Sequence, residues 1–216
     1  MKKTKVLLSL VLSFLMIFSS IGILAEETNT ASVSFTDVET GTKTFDAITK
    51  LVAHGIMNGY PDGTFKPDGS ITRAEVAAVI VRFQKLADNL PADAVTGFSD
   101  LDNDSSAAWA RPYVKAAVDA GIINGFDDGT YRASEPVTYE QLIKMIICAI
   151  NYDVIASSEK SKLEAMGQTT TWSSGYIAAA NRYGITANAL MANVTMPASR
   201  GTVAMVTSNA LDAPVI

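Results

Sequence analysis

The sequence predicts an all-α protein built from tandem helix-turn-helix modules, and three observations carry that prediction. Residues 54–66 read HGIMNGYPDGTFK and residues 120–132 read AGIINGFDDGTYR, so one segment returns at an offset of 66 residues. Apolar residues on either side recur at helical rather than alternating spacing. Between them, Asn58-Gly59 and Asp62-Gly63 interrupt the helix with residues that tolerate positive φ. A fixed period of this size marks a repeat architecture, in which one unit cannot cover its own apolar faces and must pack on the next.

The N-terminus precedes the repeats. Lys2, Lys3 and Lys5 lead into an uncharged run from Val6 to Leu24, and Ala25 is followed at once by Glu26 and Glu27. This is the layout of a secretory signal peptide over residues 1–25, with 26–34 as a short linker. A membrane-spanning anchor is the competing reading. Against it, Ser19, Ser20 and Gly22 break the run, and no basic cluster follows. No cysteine lies near the cleavage point, which argues against a lipoprotein. Removing residues 1–25 leaves 14 basic against 22 acidic residues, a net charge of −8. Such a chain is a poor ligand for nucleic acid, whose affinity comes mainly from phosphate neutralisation by Lys and Arg. Cys148 is the single cysteine, so an intramolecular disulfide is impossible and the fold rests on its core.

The first copy spans residues 35–90. It starts at Phe35-Thr36-Asp37, places Phe45, Ile48 and Val52 on one helical stripe, and ends that helix at Gly55. A second helix begins at Ile71-Thr72-Arg73-Ala74-Glu75 and carries Val76, Val79, Ile80 and Phe83 on one face. The second copy, 98–153, repeats the plan with Phe98-Ser99-Asp100, Trp109, and Val137-Thr138-Tyr139 before Leu142, Met145 and Ile146. The third, 154–216, is degenerate. It retains Trp172, Gly184-Ile185 and Ser199-Arg200, but Ala187–Met196 replaces the Asp-Gly-Thr turn, and Ser157–Thr171 reads as an inserted polar loop.

These motifs resemble the S-layer homology module. The pattern Phe-x-Asp, then Gly-Ile-x-x-Gly-Tyr-x-Asp-Gly-Thr-Phe-x-Pro, then Ile-Thr-Arg-Ala-Glu is present in copy one from Phe35 to Glu75. The resemblance implies a pseudo-threefold helical bundle. It also implies an exported surface protein, not an enzyme, that anchors non-covalently to the bacterial cell wall. The ligand it implies is an anionic, pyruvylated wall polysaccharide attached to peptidoglycan. The implied ligand-binding positions are Arg73, Glu75, Asp62, Gly63, Trp109, Asp128, Gly129, Tyr139, Trp172 and Arg200. No cofactor or metal is expected. The alternative is a structural role, in which the modules contact other surface-layer proteins and bind no glycan. Modules of this family usually tether something larger. Copy one departs from the pattern with Lys43 at the Trp109 position. Copy two departs with Tyr139 and Gln141 in place of the motif Arg and Glu, and copy three with Thr202 at the Glu position.

Several of these residues have two readings. Thr72 with Glu75 forms the pattern of a capping box, repeated by Thr138 with Gln141. Arg73 stands in the first turn of a helix, where the macrodipole opposes a cation. It is therefore either a ligand contact beside open helix N–H groups or half of a surface ion pair. Trp109 and Trp172 are core residues or sugar platforms, and Asp62-Gly63 and Asp128-Gly129 are plain turns or ligand contacts. Asp100-Leu101-Asp102-Asn103-Asp104 is not a calcium loop, because Ser105 stands where glycine is needed and Arg111 where the bidentate acid belongs. His54 and Cys148 have no partners at catalytic or metal-binding spacing.

Overall fold

In the computed structural model the described residues are 34–189 and 191–215. The signal-peptide reading of residues 1–25 and most of the proposed linker lie outside them. The described residues form helices α1 (Lys43–Ala53), α2 (Arg73–Phe83), α3 (Ser99–Asp102), α4 (Arg111–Asp119), α5 (Tyr139–Ala149), α6 (Asp153–Ala165), α7 (Ser174–Arg182) and α8 (Arg200–Leu211). Two short 3-10 turns join them, and among the described residues the only β pairing is three isolated bridges. The protein is all-α.

Helix-turn-helix pairs α1–α2, α4–α5 and α7–α8 correspond to the three copies. Each first helix ends at a glycine of positive φ, namely Gly55, Gly121 and Gly184, a conformation that costs a residue with a Cβ considerably more. Each second helix starts with a side-chain cap. The Thr72–Glu75 and Thr138–Gln141 capping boxes both form, and the Ser199 hydroxyl accepts the Thr202 N–H. The Phe-x-Asp motif acts as a clamp within its own copy. Asp37 accepts the N–H groups of Phe65 and Lys66 at 2.8 and 2.7 Å, and Asp100 accepts those of Tyr131 and Arg132 at 2.9 and 2.7 Å. A Cβ on Gly59 or Gly125 would overlap the ring of Phe35 or Phe98, which is why both repeats keep glycine there.

The two helices of a copy have different jobs. The first is amphipathic, burying Ala47, Ile48 and Leu51 in α1 and Val114 and Ala117 in α4. The second is buried nearly all round: α2 is covered from Val76 through Val81, and α8 from Val203 through Ser208. The single apolar face expected for these helices is therefore an underestimate. They form the centre, and each packs against the first helix of the following copy: α2 on α4, α5 on α7, and α8 back on α1. The bridges follow the same cycle. Thr72 pairs with Pro136, Thr138 with Pro197, and Ser199 with Ser70.

One segment departs from expectation. Asp153–Ala165, read as part of an inserted loop from Ser157 onward, is helix α6. It lies along α7, close enough that a Cβ on Gly175 would overlap the Ala156 carbonyl, and Glu159 pairs with Arg182 at 2.5 Å. Only Ala156 of this helix is buried, so its sequence carries little apolar patterning.

Candidate ligand grooves

The chain cycle brings one arginine and one tryptophan together at each of two concave sites. In the first groove, a cavity of about 300 Å³, Arg73 of copy one faces Asn124, Phe126, Gln141 and Lys144 of copy two and Trp172 of copy three. In the second, about 260 Å³, Arg200 of copy three faces Asn58, Glu75 and Arg82 of copy one and Trp109 of copy two. Every groove thus draws on all three copies.

The arginines are held alike. Arg73 is 5% exposed, donates from Nε to the Tyr131 carbonyl at 2.8 Å and from Nη1 to Gln141 Oε1 at 3.0 Å, and lies over the Phe126 and Tyr131 rings. Arg200 is 7% exposed, donates from Nε to the Phe65 carbonyl at 2.9 Å and from Nη2 to the Asn58 carbonyl at 3.0 Å, and lies over Tyr60 and Phe65. Burial pulls the Arg73 pKa below its ordinary value, yet a guanidinium stays charged in proteins. Among the described residues neither arginine has a carboxylate within 4.0 Å. The surface ion pair considered for Arg73 is therefore overturned, since the side chain is buried and its partners are neutral.

A second expectation is corrected. The helix N–H groups beside these arginines are not open. Arg73 and Ala74 N–H donate to the carbonyls of Glu135 and Ala133, and Arg200 and Gly201 N–H to those of Gly69 and Pro67. Any anion in the grooves meets side chains and not a helix end.

Trp172 and Trp109 are 48% and 51% exposed, so the core reading fails for both. Glu75 lines the second groove, but its Oε2 already accepts the Thr72 N–H and hydroxyl. Asp62-Gly63 and Asp128-Gly129 line neither groove. They form turns in which Asp62 and Asp128 accept the N–H and hydroxyl of Thr64 and Thr130. Thr130 and Arg132 hold the Asp128 carboxyl down to about 2. Tyr139, at the third arginine position, is 1% exposed and lines neither groove, and burial pushes its phenol up to about 12. Its hydroxyl has no hydrogen-bond partner among the described residues. Sequence reasoning missed Lys144 and Arg82 as groove cations, because neither belongs to the repeated motif.

Two stretches, residues 34–77 and 97–143, match the S-layer homology domain family. Copies one and two are S-layer homology domains. The Cellulosome-anchoring protein of Acetivibrio thermocellus is 31% identical over 54% of this chain and 26% of its own length. The Surface layer protein of Brevibacillus choshinensis is 32% identical over 60% of this chain and 11% of its own. The Cell surface protein of Thermoanaerobacter kivui is 24% identical over 100% of this chain and 26% of its own. The chain spans about a quarter or less of the length of these relatives. S-layer homology matches at two tandem positions, with relatives named as surface-layer and cell-surface proteins, mark the chain as a cell-surface protein. No described helix is long and apolar enough to cross a membrane.

Proposed function

We propose that the two grooves bind acidic units of a wall polysaccharide, so that this chain anchors an exported protein non-covalently to the bacterial cell wall. The observation that carries the reading is the pair of buried arginines without carboxylate partners, each facing a cavity beside a half-exposed indole. An uncompensated buried charge costs several kcal/mol, and an incoming carboxylate would supply the missing partner with charge-assisted hydrogen bonds. The indole offers a flat apolar face with a polar edge. In the first groove Ile122, Ile123 and Met145 add an apolar wall beside the cation. A pyruvate ketal suits that combination, because it presents a carboxylate and a methyl group from one rigid carbon. We also infer pseudo-threefold order for the bundle, supported by the head-to-tail cycle of bridges and helix contacts. No catalytic step is assigned to these residues. By analogy with the Cellulosome-anchoring protein, the attached cargo would lie in a larger protein. The test is sedimentation with purified walls before and after the polysaccharide is stripped by mild acid. Binding that disappears with the polysaccharide supports the reading. Binding that survives stripping overturns it and points to protein–protein assembly.

A further inference from the structure

In both grooves the buried arginine shares an aromatic ring with a second cation. Phe126 lies 4.7 Å from the Arg73 guanidinium and 3.9 Å from that of Arg132. Tyr60 lies 4.8 Å from Arg200 and 4.1 Å from the Lys66 ammonium. Each second cation is held by the aspartate of the Asp-Gly-Thr turn, Arg132 by Asp128 at 2.9 Å and Lys66 by Asp62 at 3.6 Å. Both cations also occupy the left-handed region, at φ 59, a position that disfavours any residue but glycine. The Asp100 and Asp37 clamps hold those backbones in place. Two like charges around one ring, one of them on a strained backbone, is an arrangement the turn alone does not require.

Copy three shows that. Its second turn has the same backbone hydrogen bond, Met196 N–H to the Asn193 carbonyl, as Glu135 N–H to Arg132 and Gly69 N–H to Lys66. Yet Ala187–Met196 contains no aromatic, acidic or basic residue. The position equivalent to Arg73 and Arg200 that faces this segment holds Tyr139, whose N–H donates to the Met196 carbonyl, in place of an arginine. Aspartate, turn cation, aromatic ring and groove arginine are present together twice and absent together once.

We propose that Asp128–Arg132–Phe126 and Asp62–Lys66–Tyr60 are positioning units for the groove arginines Arg73 and Arg200. The turn cation, fixed by its aspartate, pins the ring, and the pinned ring fixes the plane of the guanidinium that meets the ligand. Of these residues only Phe126 lines a groove, and the others act on the arginines through the rings. The inference rests on the anion-binding reading only for its consequence and not for its geometry, so two measurements separate the two. The first is NMR on the full chain, following the Arg73 Nε–H, which is buried against the Tyr131 carbonyl. Arg132→Ala is expected to shift that resonance and speed its solvent exchange about tenfold, the scale of one lost cation–π contact, with backbone amides of α2 and α5 unchanged. Arg132→Lys, which reproduces the copy-one residue, is expected to restore it. An Arg73 signal unmoved by Arg132→Ala and by Asp128→Ala overturns the inference. The second is calorimetry with a methyl hexoside bearing a 4,6-pyruvate ketal. Affinity at the first groove should fall about tenfold in Arg132→Ala and recover in Arg132→Lys. Unchanged affinity there also overturns the inference. An unmodified chain that binds no ketal, but whose Arg73 signal responds, refutes the ketal reading of function and leaves the positioning role standing.

Discussion

Arg73 illustrates what a residue in a sequence reveals and what it conceals. Its place in the first turn of α2, against the macrodipole, is visible from the capping pattern at Thr72 and Glu75. Its burial is not, because that burial is made by rings 53 and 58 residues further along, Phe126 and Tyr131. The fork of contacts from Nε and Nη1 to Tyr131 and Gln141 explains why a cation of a different shape will not serve. An ammonium has no rigid pair of donors. Arg73→Lys is expected to leave a folded protein that binds the pyruvate ketal at least about tenfold more weakly at the first groove, a loss on the order of 1.4 kcal/mol. Calorimetric titration beside a thermal melt checks both halves. Asp128 gives a pH prediction. Its pKa is depressed from the ordinary 3.8 to about 2 by Thr130 and Arg132, so the folded state favours its ionised form. Its contribution to stability is complete above about pH 4 and is lost as pH falls toward 2. Asp37, Asp62, Asp102 and Asp104 are shifted in the same direction by the N–H and hydroxyl groups they accept. The melting temperature should therefore be flat from neutrality to about pH 4 and drop below it. In Asp128→Asn the drop should be shallower. A melting temperature that rises on acidification would contradict the assignment.

At the scale of elements, helix starts and stops were legible because they depend on local chemistry. Thr72 with Glu75, Thr138 with Gln141, and the glycines at 55, 121 and 184 signal caps and ends without reference to the rest of the chain. α6 was not legible. A helix with one fully buried residue carries only a partial apolar stripe, here Ile155 and Ala156, and it is held also by Glu159–Arg182 and by the close approach of Ala156 to Gly175. The central burial of α2, α5 and α8 was only half visible, since alanines and a threonine at core positions do not look apolar in a moment of the sequence. Two stability predictions belong here. Thr72→Ala removes a cap worth ~1 kcal/mol, so a denaturant midpoint shift of that size is expected with an unchanged slope. An unaffected midpoint would rule out the cap as a source of stability. Thr207 stands in α8 where copies one and two have Ile80 and Ile146, and its Oγ1 is buried without a partner among the described residues. Thr207→Val keeps the shape and removes a hydroxyl whose desolvation is uncompensated, so it should stabilise by about 1 kcal/mol. Destabilisation would mean that the hydroxyl is satisfied in solution.

For the whole molecule, the groove architecture was legible only in parts: the sequence shows the three copies, but not that Trp172 completes a site begun by Arg73, nor that Arg200 completes one begun by Glu75. That pairing depends on which copy follows which around the cycle. It also determines how charge acts on binding. Beyond residue 25 the chain carries a net charge of −8, so an anionic polymer is repelled at long range and no general basic surface draws it in. The local balance is opposite. Arg73 and Lys144 outnumber Glu140 in the first groove, and Arg200 and Arg82 outnumber Glu75 in the second. Salt screens separated, solvated charges over about 8–10 Å at ordinary ionic strength, and screens a short contact at a buried guanidinium much less. Raising salt from about 0.01 to 0.15 M, which shortens the screening length from about 30 to 8 Å, should therefore weaken the repulsion more than the contact. Affinity for purified wall polymer is expected to stay level or rise slightly over that range in the unmodified chain. In a chain carrying both Arg73→Gln and Arg200→Gln it should be lost at every salt concentration. A polycation on a polyanion would behave in the opposite way, losing affinity steeply as counterions compete. A steep fall in the unmodified chain would mean that diffuse surface charge holds the polymer, and the two grooves would then no longer explain attachment.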